Sequence, residues 1–285
     1  MNMLRTPAAV TAVLLLASCG GDDSAPAENA VSGTGSRPDQ ETRADVSARL
    51  VGIAARTDFL TVSTWHGETS SPLLPKFRAS ASCSGTTCTL DEPQTGLSAS
   101  ASLDDLNLDT SLPDAVPGRH GIDVLDARTE SGRIRAGVMD HAAFVVDSDR
   151  AVIEGITVWA RFSVAGGDLT RSRPTGSATW TGIMLGVPAD ASGRTDFLQG
   201  DAALTYDFAG SLDAVFSGIR NVTRNRDHSV ASVRFDDVPV SADGTFAAGG
   251  TGDRIQGGFH GPGHAETAGV FERDGIVGAF GASRQ

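Results

Sequence analysis

The chain has 285 residues, of which 40% are hydrophobic and 20% are charged, and its net charge is −12 at pH 7. An acidic chain repels phosphate backbones, so these values exclude nucleic acid as a partner. They fit a soluble surface protein.

The first 18 residues have the pattern of a bacterial signal peptide. A short head that ends in Arg5 precedes an apolar run from Ala8 to Ala17, which is too short to span a membrane. The next residues, up to Ser18 and Cys19, resemble a lipobox, so we predict that Cys19 is lipidated and begins the mature chain. An ordinary secretory signal is the alternative. Gly20, rather than Asp, after Cys19 indicates sorting to the outer membrane.

Residues 19–45 predict a disordered tether, because they are rich in Gly, Ser, Ala, Pro and acidic residues and show no apolar period. A short helix is expected next, since Val46, Leu50, Ile53 and Ala54 share one helical face. From Phe59 the sequence becomes β-like, which begins a mostly β region that extends to residue 172.

Two cysteines remain once Cys19 is set aside. Cys83 and Cys88 fall within a predicted hairpin from Phe77 to Leu90. In the oxidising compartment of an exported protein they should form a disulfide. The alternative is a metal or redox pair, for which the sequence offers no further ligand. Downstream, period-two patterns predict strands at Gly121–Leu125, at Arg133–Met139 with His141–Val146, and across Val152–Phe162.

From Gly176 onward the period-two pattern predicts eight antiparallel strands. Eight short strands in about 110 residues suit a small up-and-down barrel whose interior is filled by side chains. The predicted strands are Ser177–Leu185, Asp201–Phe208, Leu212–Ile219, Val230–Val238, Thr245–Ala248, Arg254–His260, His264–Glu272 and Ile276–Ala282. The inward side chains are predicted to be Trp180, Met184, Leu204, Tyr206, Phe208, Leu212, Ala214, Phe216, Val233 and Phe235.

The C-terminal tail carries the clearest motif of the chain. Glycine is followed two residues later by phenylalanine three times, at Gly257, Gly269 and Gly278. Small residues beside aromatic ones on a single face fit the taper of a closed barrel. Turn residues at Gly261–Gly263 and Arg273–Gly275 divide the tail into a three-stranded meander.

This tail resembles the C-terminal barrel signature of transferrin-binding protein B-like surface lipoproteins. The matching runs are Gly257–Glu266, Gly269–Phe271 and Val277–Arg284, with His260 in place of the family's tyrosine and Ser283 in place of its lysine. Trp159–Phe162 followed by Gly176–Gly182 is similar to the family's junction between handle and barrel. The resemblance implies an all-β chain with a single lobe, in which a mixed, mostly β handle-like region (46–172) precedes an eight-stranded antiparallel up-and-down barrel (173–285).

The resemblance also implies a function. We expect an outer-membrane lipoprotein that binds another protein, or a metal-bearing carrier, at the cell surface. The alternatives are a lipocalin-like small-molecule binder and a structural envelope lipoprotein. No nucleophile, zinc or phosphate-loop motif occurs in the sequence, so we expect no enzyme and no cofactor.

Three groups of residues are candidates for a site. Arg220, Arg224, Arg226 and His228 form a basic cluster in an acidic chain, which suggests either a partner-contact loop or a solvated hairpin loop. His260, His264 and Glu266 could suggest a metal, but we interpret them as barrel scaffold and predict no metal site. Asp147, Asp149 and Glu154 lack the spacing of a calcium loop, so we read them as a solvated turn.

Overall fold

The computed structural model describes residues 43–54, 60–67, 80–84, 87–92, 97–102, 119–128, 132–153, 156–189 and 196–285. The predicted signal peptide, Cys19 and nearly all of the predicted tether lie outside these ranges. Within them, no helix has the length and apolar content needed to cross a membrane.

The predicted helix is present as α1, Arg43–Ala54. Val46, Leu50 and Ile53 are buried on one face, because residues three and four apart in a helix point the same way. At the edge of this face, Arg49 forms an ion pair with Asp123. The helix therefore lies against the strands that follow.

Two antiparallel sheets precede the barrel. The smaller one contains β2 (Ser80–Ser84), β3 (Thr87–Glu92) and β4 (Leu97–Ser102) in chain order, and β1 is Leu60–Gly67. The larger one runs in the order β1-β8-β7-β6-β5, where β5 is Asp123–Arg128, β6 is Arg133–Val138, β7 is Ala142–Ile153 and β8 is Ile156–Gly167. The hairpin predicted around residue 140 is confirmed as β6 and β7.

All eight predicted C-terminal strands are present, and each extends to within a few residues of its predicted bounds. They form a meander in which every strand pairs with its sequence neighbour, except that the fourth and fifth strands share no ladder. The last strand pairs with the first. The chain is therefore all-β in class. The eight strands are β9 (Ala178–Pro188), β10 (Leu198–Tyr206), β11 (Ser211–Asn221), β13 (Ser232–Pro239), β14 (Thr245–Gly250), β15 (Asp253–His260), β16 (Glu266–Arg273) and β17 (Ile276–Arg284). An additional two-residue strand, β12 (Arg226–Asp227), lies between β11 and β13.

The barrel is not closed by hydrogen bonds, which corrects the predicted closure. Beyond the turn, the only pairing between β13 and β14 is a single bridge from Val240 to Phe246. Pro239 has no N–H group to donate to a ladder. Asp237 has a positive φ of 54°, and its N–H donates to the Asp213 carboxylate on β11 instead. The backbone of β13 is thus turned away from β14, which leaves an open seam.

Side chains fill the barrel interior as predicted, with one exception. Nine of the ten predicted inward residues belong to one buried cluster that also contains Phe246, Phe259, Phe271 and Phe280. Phe208, however, is 84% exposed. β10 ends at Tyr206 because Asp207 begins a tight turn, in which its carboxylate accepts from the Ser211 N–H at 3.0 Å. Phe208 consequently falls in the turn and points away from the core.

A second apolar layer joins the larger sheet to the outside of the barrel. Phe144 and Val146 of β7 pack against outward residues of β9, β16 and β17, among them Leu185 and Val270. The outward faces of these barrel strands are therefore as buried as their inward faces, as the unbroken burial along β16 and β17 indicates.

Candidate binding loop at one end of the barrel

The predicted basic cluster lies in the connection between β11 and β13, which we call the arginine loop (Arg220–Ser229). A two-residue ladder holds its base, with Arg220 paired to Asp227 and Asn221 paired to Arg226. Asn225 occupies the turn with a φ of 49°, a left-handed conformation that asparagine tolerates better than most residues. The loop is therefore a short, regular hairpin.

A buried carboxylate fixes this hairpin to the start of β10. Asp196 is 6% exposed, and its Oδ2 lies 2.7 Å from the Arg224 Nε and 3.0 Å from the Asn221 Nδ2. Asn221 is buried too, and its Oδ1 accepts from the Arg224 backbone N–H at 2.9 Å. Charge-assisted hydrogen bonds within such a network are stronger than neutral ones. Arg224 is thus a positioning residue of the loop.

The other charged pair of the loop is at the surface. The Arg220 Nε lies 3.2 Å from the Asp227 Oδ1, and both side chains are more than half exposed. Exposed pairs of this kind contribute little to stability. His228 accepts from the Val230 N–H through Nδ1 at 3.2 Å, which orients its ring along the loop.

These residues enclose a polar cleft of about 470 Å³. Among its lining side chains, Asp196 is neutralised by Arg224, and Asp227 by Arg220 from outside the cleft. Arg226 forms no ion pair within the described residues. The lining itself carries two arginines and two aspartates, and with both aspartates paired to Arg224 and Arg220, Arg226 is the lining arginine without a carboxylate partner among the described residues. Its lining is Pro188, Asp196, Asn221, Arg224, Arg226, Asp227, His228 and Ser229.

Of the four predicted contact residues, Arg224, Arg226 and His228 line the cleft, and Arg220 does not. Sequence reasoning missed Asp196, which gives the loop its shape. No local signal could have identified it, because it precedes Arg224 by 28 residues and lies just before the start of a different strand, β10. Only the pairing of β10 with β11 brings the two residues together.

The other candidate residues lie elsewhere in the fold. Cys83 and Cys88 are directly opposite each other in the β2–β3 ladder. Such pairs have Cα separations of about 4.5–5.5 Å, which lie within the range that a disulfide spans. The disulfide stays a prediction.

His260, His264 and Glu266 each make structural contacts. The His264 Nε2 lies 2.9 Å from the Ser172 carbonyl oxygen, and His260 is buried. Glu266 accepts from the backbone N–H groups of Asp140 and His141 at 3.0 and 2.9 Å. The described residues hold no group of three His, Cys, Asp or Glu side chains arranged for a metal ion. The reading of Asp147 and Asp149 as part of a solvated turn is wrong, because both lie within β7 and Asp147 is buried, while Glu154 is outside the described ranges.

No protein-family description matches the chain, and no curated protein matches it. Among solved structures, it is similar to transferrin-binding protein B from Neisseria meningitidis, at 14% identity over 79% of this chain and 44% of that one, with a TM-score of 0.40. The corresponding protein from Haemophilus parasuis is 12% identical over 79% of this chain and 45% of that one, with a TM-score of 0.38. The N-lobe of lactoferrin-binding protein B from Moraxella bovis is 12% identical over 80% of this chain and 99% of that one, with a TM-score of 0.36.

The chain spans less than half the length of the transferrin-binding protein B chains and nearly all of the single N-lobe.

Proposed function

We propose that the chain is a lipid-anchored, non-enzymatic binding protein of the outer membrane that holds a protein partner at the cell surface through the arginine loop. The observation that carries this proposal is the cleft of about 470 Å³ around Arg226. Binding residues are commonly presented on loops that a rigid scaffold positions. Here the Asp196 network supplies the rigidity, and Arg226 supplies a charge that the loop leaves available.

The charge balance of the cleft indicates which group of the partner it takes. Both aspartates of the cleft are paired within the chain, since Arg224 pairs with Asp196 and Arg220 pairs with Asp227. Arg226 matches a carboxylate, because a guanidinium presents paired donors to two oxygens. A Glu or Asp side chain of the partner is the ligand that fits.

The barrel interior favours a protein partner over a small molecule. Phe216 stacks on Phe271 with ring centroids 4.4 Å apart and lies 5.0 Å from Phe280. Trp180 and Phe259 make a similar contact at 4.8 Å. Aromatic rings thus occupy the axis where a lipocalin-like ligand would bind. A structural envelope lipoprotein remains the competing function.

Lipidation and surface display rest on the sequence motifs. Removal of the acceptor thiol by Cys19→Ser should release the protein from the membrane fraction. Protease treatment of intact cells should degrade the wild-type protein. If the protein is cleaved only after the outer membrane is broken, it faces the periplasm and the surface-binding proposal fails.

The contact site is tested with the soluble chain from Gly20 onward as bait in the native medium, with captured proteins identified by mass spectrometry. Arg226→Ser should weaken binding of the captured partner by about 10- to 100-fold, the effect of one charge-assisted hydrogen bond. Arg171→Ser is the matched control, because Arg171 is exposed at the opposite end of the barrel. Equal binding by wild type and Arg226→Ser would exclude the arginine loop as the contact.

A further inference from the structure

The larger sheet meets the barrel at a polar junction made of three segments. These are the β6–β7 turn (Met139–His141), the residues after β8 (Asp168–Thr170), and the end of β15 with its turn (Phe259–Gly261). The Gly261 N–H donates to the Asp168 carbonyl at 2.9 Å, and the Thr170 N–H donates to the Phe259 carbonyl at 2.8 Å. Leu169 and His260 form an isolated bridge. Backbone hydrogen bonds therefore join the sheet directly to the barrel.

Glu266 of β16 completes this junction. Its carboxylate accepts from the N–H groups of Asp140 and His141, which belong to the β6–β7 turn. A side chain of the barrel thus satisfies two backbone donors of the sheet, which would otherwise lack partners in a partly buried turn. The ring of His141 packs closely on Gly261, where an added Cβ would lie only 2.4 Å from the His141 Cδ2.

His260 lies at the centre of the junction and is its most deeply buried titratable side chain. Its ring is 2% exposed, and neither ring nitrogen has a hydrogen-bond partner of good geometry within the described residues. Burial lowers the pKa of His260 from 6.5 to about 4, although the backbone of Gly167 and Ala268 and the charge of Asp168 favour the protonated form. The ring is therefore neutral at pH 7.

We propose that His260 makes the contact between sheet and barrel acid-labile, so that its protonation opens the junction while the barrel stays folded. A buried imidazolium lacks the hydration that it would have once the junction opens. The open state therefore binds a proton more tightly than the closed state does. By linkage, the closed junction is fully favoured above about pH 6.5 and loses stability as the pH falls from 6.5 towards 4.

The other titratable groups around His260 do not produce this response. His141, on the β6–β7 turn, has its Nδ1 3.7 Å from the Asp168 Oδ2. Burial raises the pKa of Glu266, which means that acid favours its folded form. Asp140 is mostly exposed and lies 3.9 Å from Arg49 of α1. His264, in the β15–β16 turn, is bonded to Ser172.

Amide hydrogen exchange at pH 7 and pH 5, corrected for intrinsic exchange rates, tests the proposal. The amides to follow are those of Asp140, His141, Thr170 and Gly261, with the β10–β11 ladder as the internal reference. The pKa of His260 is 6.5 when the ring is exposed and about 4 when it is buried in the closed junction. This difference should increase the opening constant of the junction about 20-fold between pH 7 and pH 5. The opening constants of the reference amides in the β10–β11 ladder should not change with pH in this way.

His260→Phe should abolish this pH response, because the phenyl ring fills the site without titrating. His260→Gln is the second variant should the larger ring fail to fold, and His141→Gln is the matched control, which should retain the response. The proposal is overturned if wild-type junction amides respond no more than the reference amides. It is equally overturned if the response persists in the His260 variants.

Discussion

Three glycines of the barrel each lie directly opposite a phenylalanine on the neighbouring strand. A Cβ added at any of them would lie 2.3–2.5 Å from the facing ring, which is closer than atoms can approach. The rings therefore lie over the glycine backbone. In the tail this accounts for the reciprocal pairs between β16 and β17, whereas Gly257 faces Phe246 of β14 and Phe259 faces Thr267. The pairs are Gly257 with Phe246, Gly269 with Phe280, and Gly278 with Phe271.

Gly278→Ala should destabilise the barrel by about 1–3 kcal/mol, the usual cost of adding a methyl group to a filled core. The ring of Phe271 must move, because the added Cβ would lie 2.3 Å from it, and the Leu185 carbonyl oxygen at 3.0 Å limits how far the Cβ can shift away. Gly250→Ala is the control, since nothing lies within 4 Å of its added Cβ. Urea denaturation measures the unfolding free energy of each variant. Equal unfolding free energies for the two variants would show that the pairing imposes no steric constraint.

At the scale of elements, Arg273 of β16 connects β13 to β15 beside the open seam. The Arg273 guanidinium lies 3.9 Å from the centroid of the Phe235 ring and donates to the Arg234 carbonyl of β13. It also forms an ion pair with Asp253 at the start of β15. A side chain thus satisfies a backbone carbonyl of β13 next to the seam.

Arg273→Ala should lower the unfolding free energy by about 1–3 kcal/mol, because a cation–π contact and a charged hydrogen bond to a carbonyl are both lost. The β13 amides should also exchange faster. Arg234→Ala serves as the matched control, since this exposed side chain pairs only with exposed carboxylates and its removal leaves the backbone carbonyl in place. If both variants behave alike, Arg273 does not hold the seam.

The β2–β3 hairpin allows a second prediction at this scale. Intact mass under non-reducing conditions should show the loss of two hydrogens through a bond between Cys83 and Cys88. Reduction, or a double substitution by Ser, should cost about 2 kcal/mol of local stability in the chain-entropy model. A free-thiol assay that finds both thiols reactive in the exported protein would contradict the pairing, and Cys19 must be removed beforehand.

At the scale of the whole molecule, the sheet and the barrel share a continuous apolar layer. The outward residues of β9, β16 and β17 are buried by the larger sheet, and they include Ile183, Val187 and Val277. The predicted boundary at residue 173 therefore lies between two parts that cover each other. A contiguous apolar surface of this kind, when exposed, promotes association.

A fragment of residues 173–285 tests whether the barrel is an independent domain. We expect it to associate or to lose stability relative to the full chain, because the apolar layer is exposed. Size-exclusion chromatography with light scattering, together with thermal unfolding, measures both properties. A monomeric fragment with an unchanged melting temperature would mean that the barrel is self-sufficient.

Much of this fold could be predicted from the sequence, because its signals are local. The period of two gave the eight C-terminal strands, and spacings of three and four gave the buried face of α1. The one wrong inward residue, Phe208, follows the same period but lies beyond the strand end that Asp207 imposes. Likewise, Arg224, Arg226 and His228 could be predicted as neighbours, since they share one loop.

What the sequence by itself determined was the class of each segment and the face on which its side chains lie, because these depend on neighbours within a few residues. The tertiary structure decided everything that joins distant strands. It brought Asp196 to Arg224, left the seam at Pro239 open, and buried His260 against Asp168. These contacts depend on strand register and on packing between sheets, which no local pattern records.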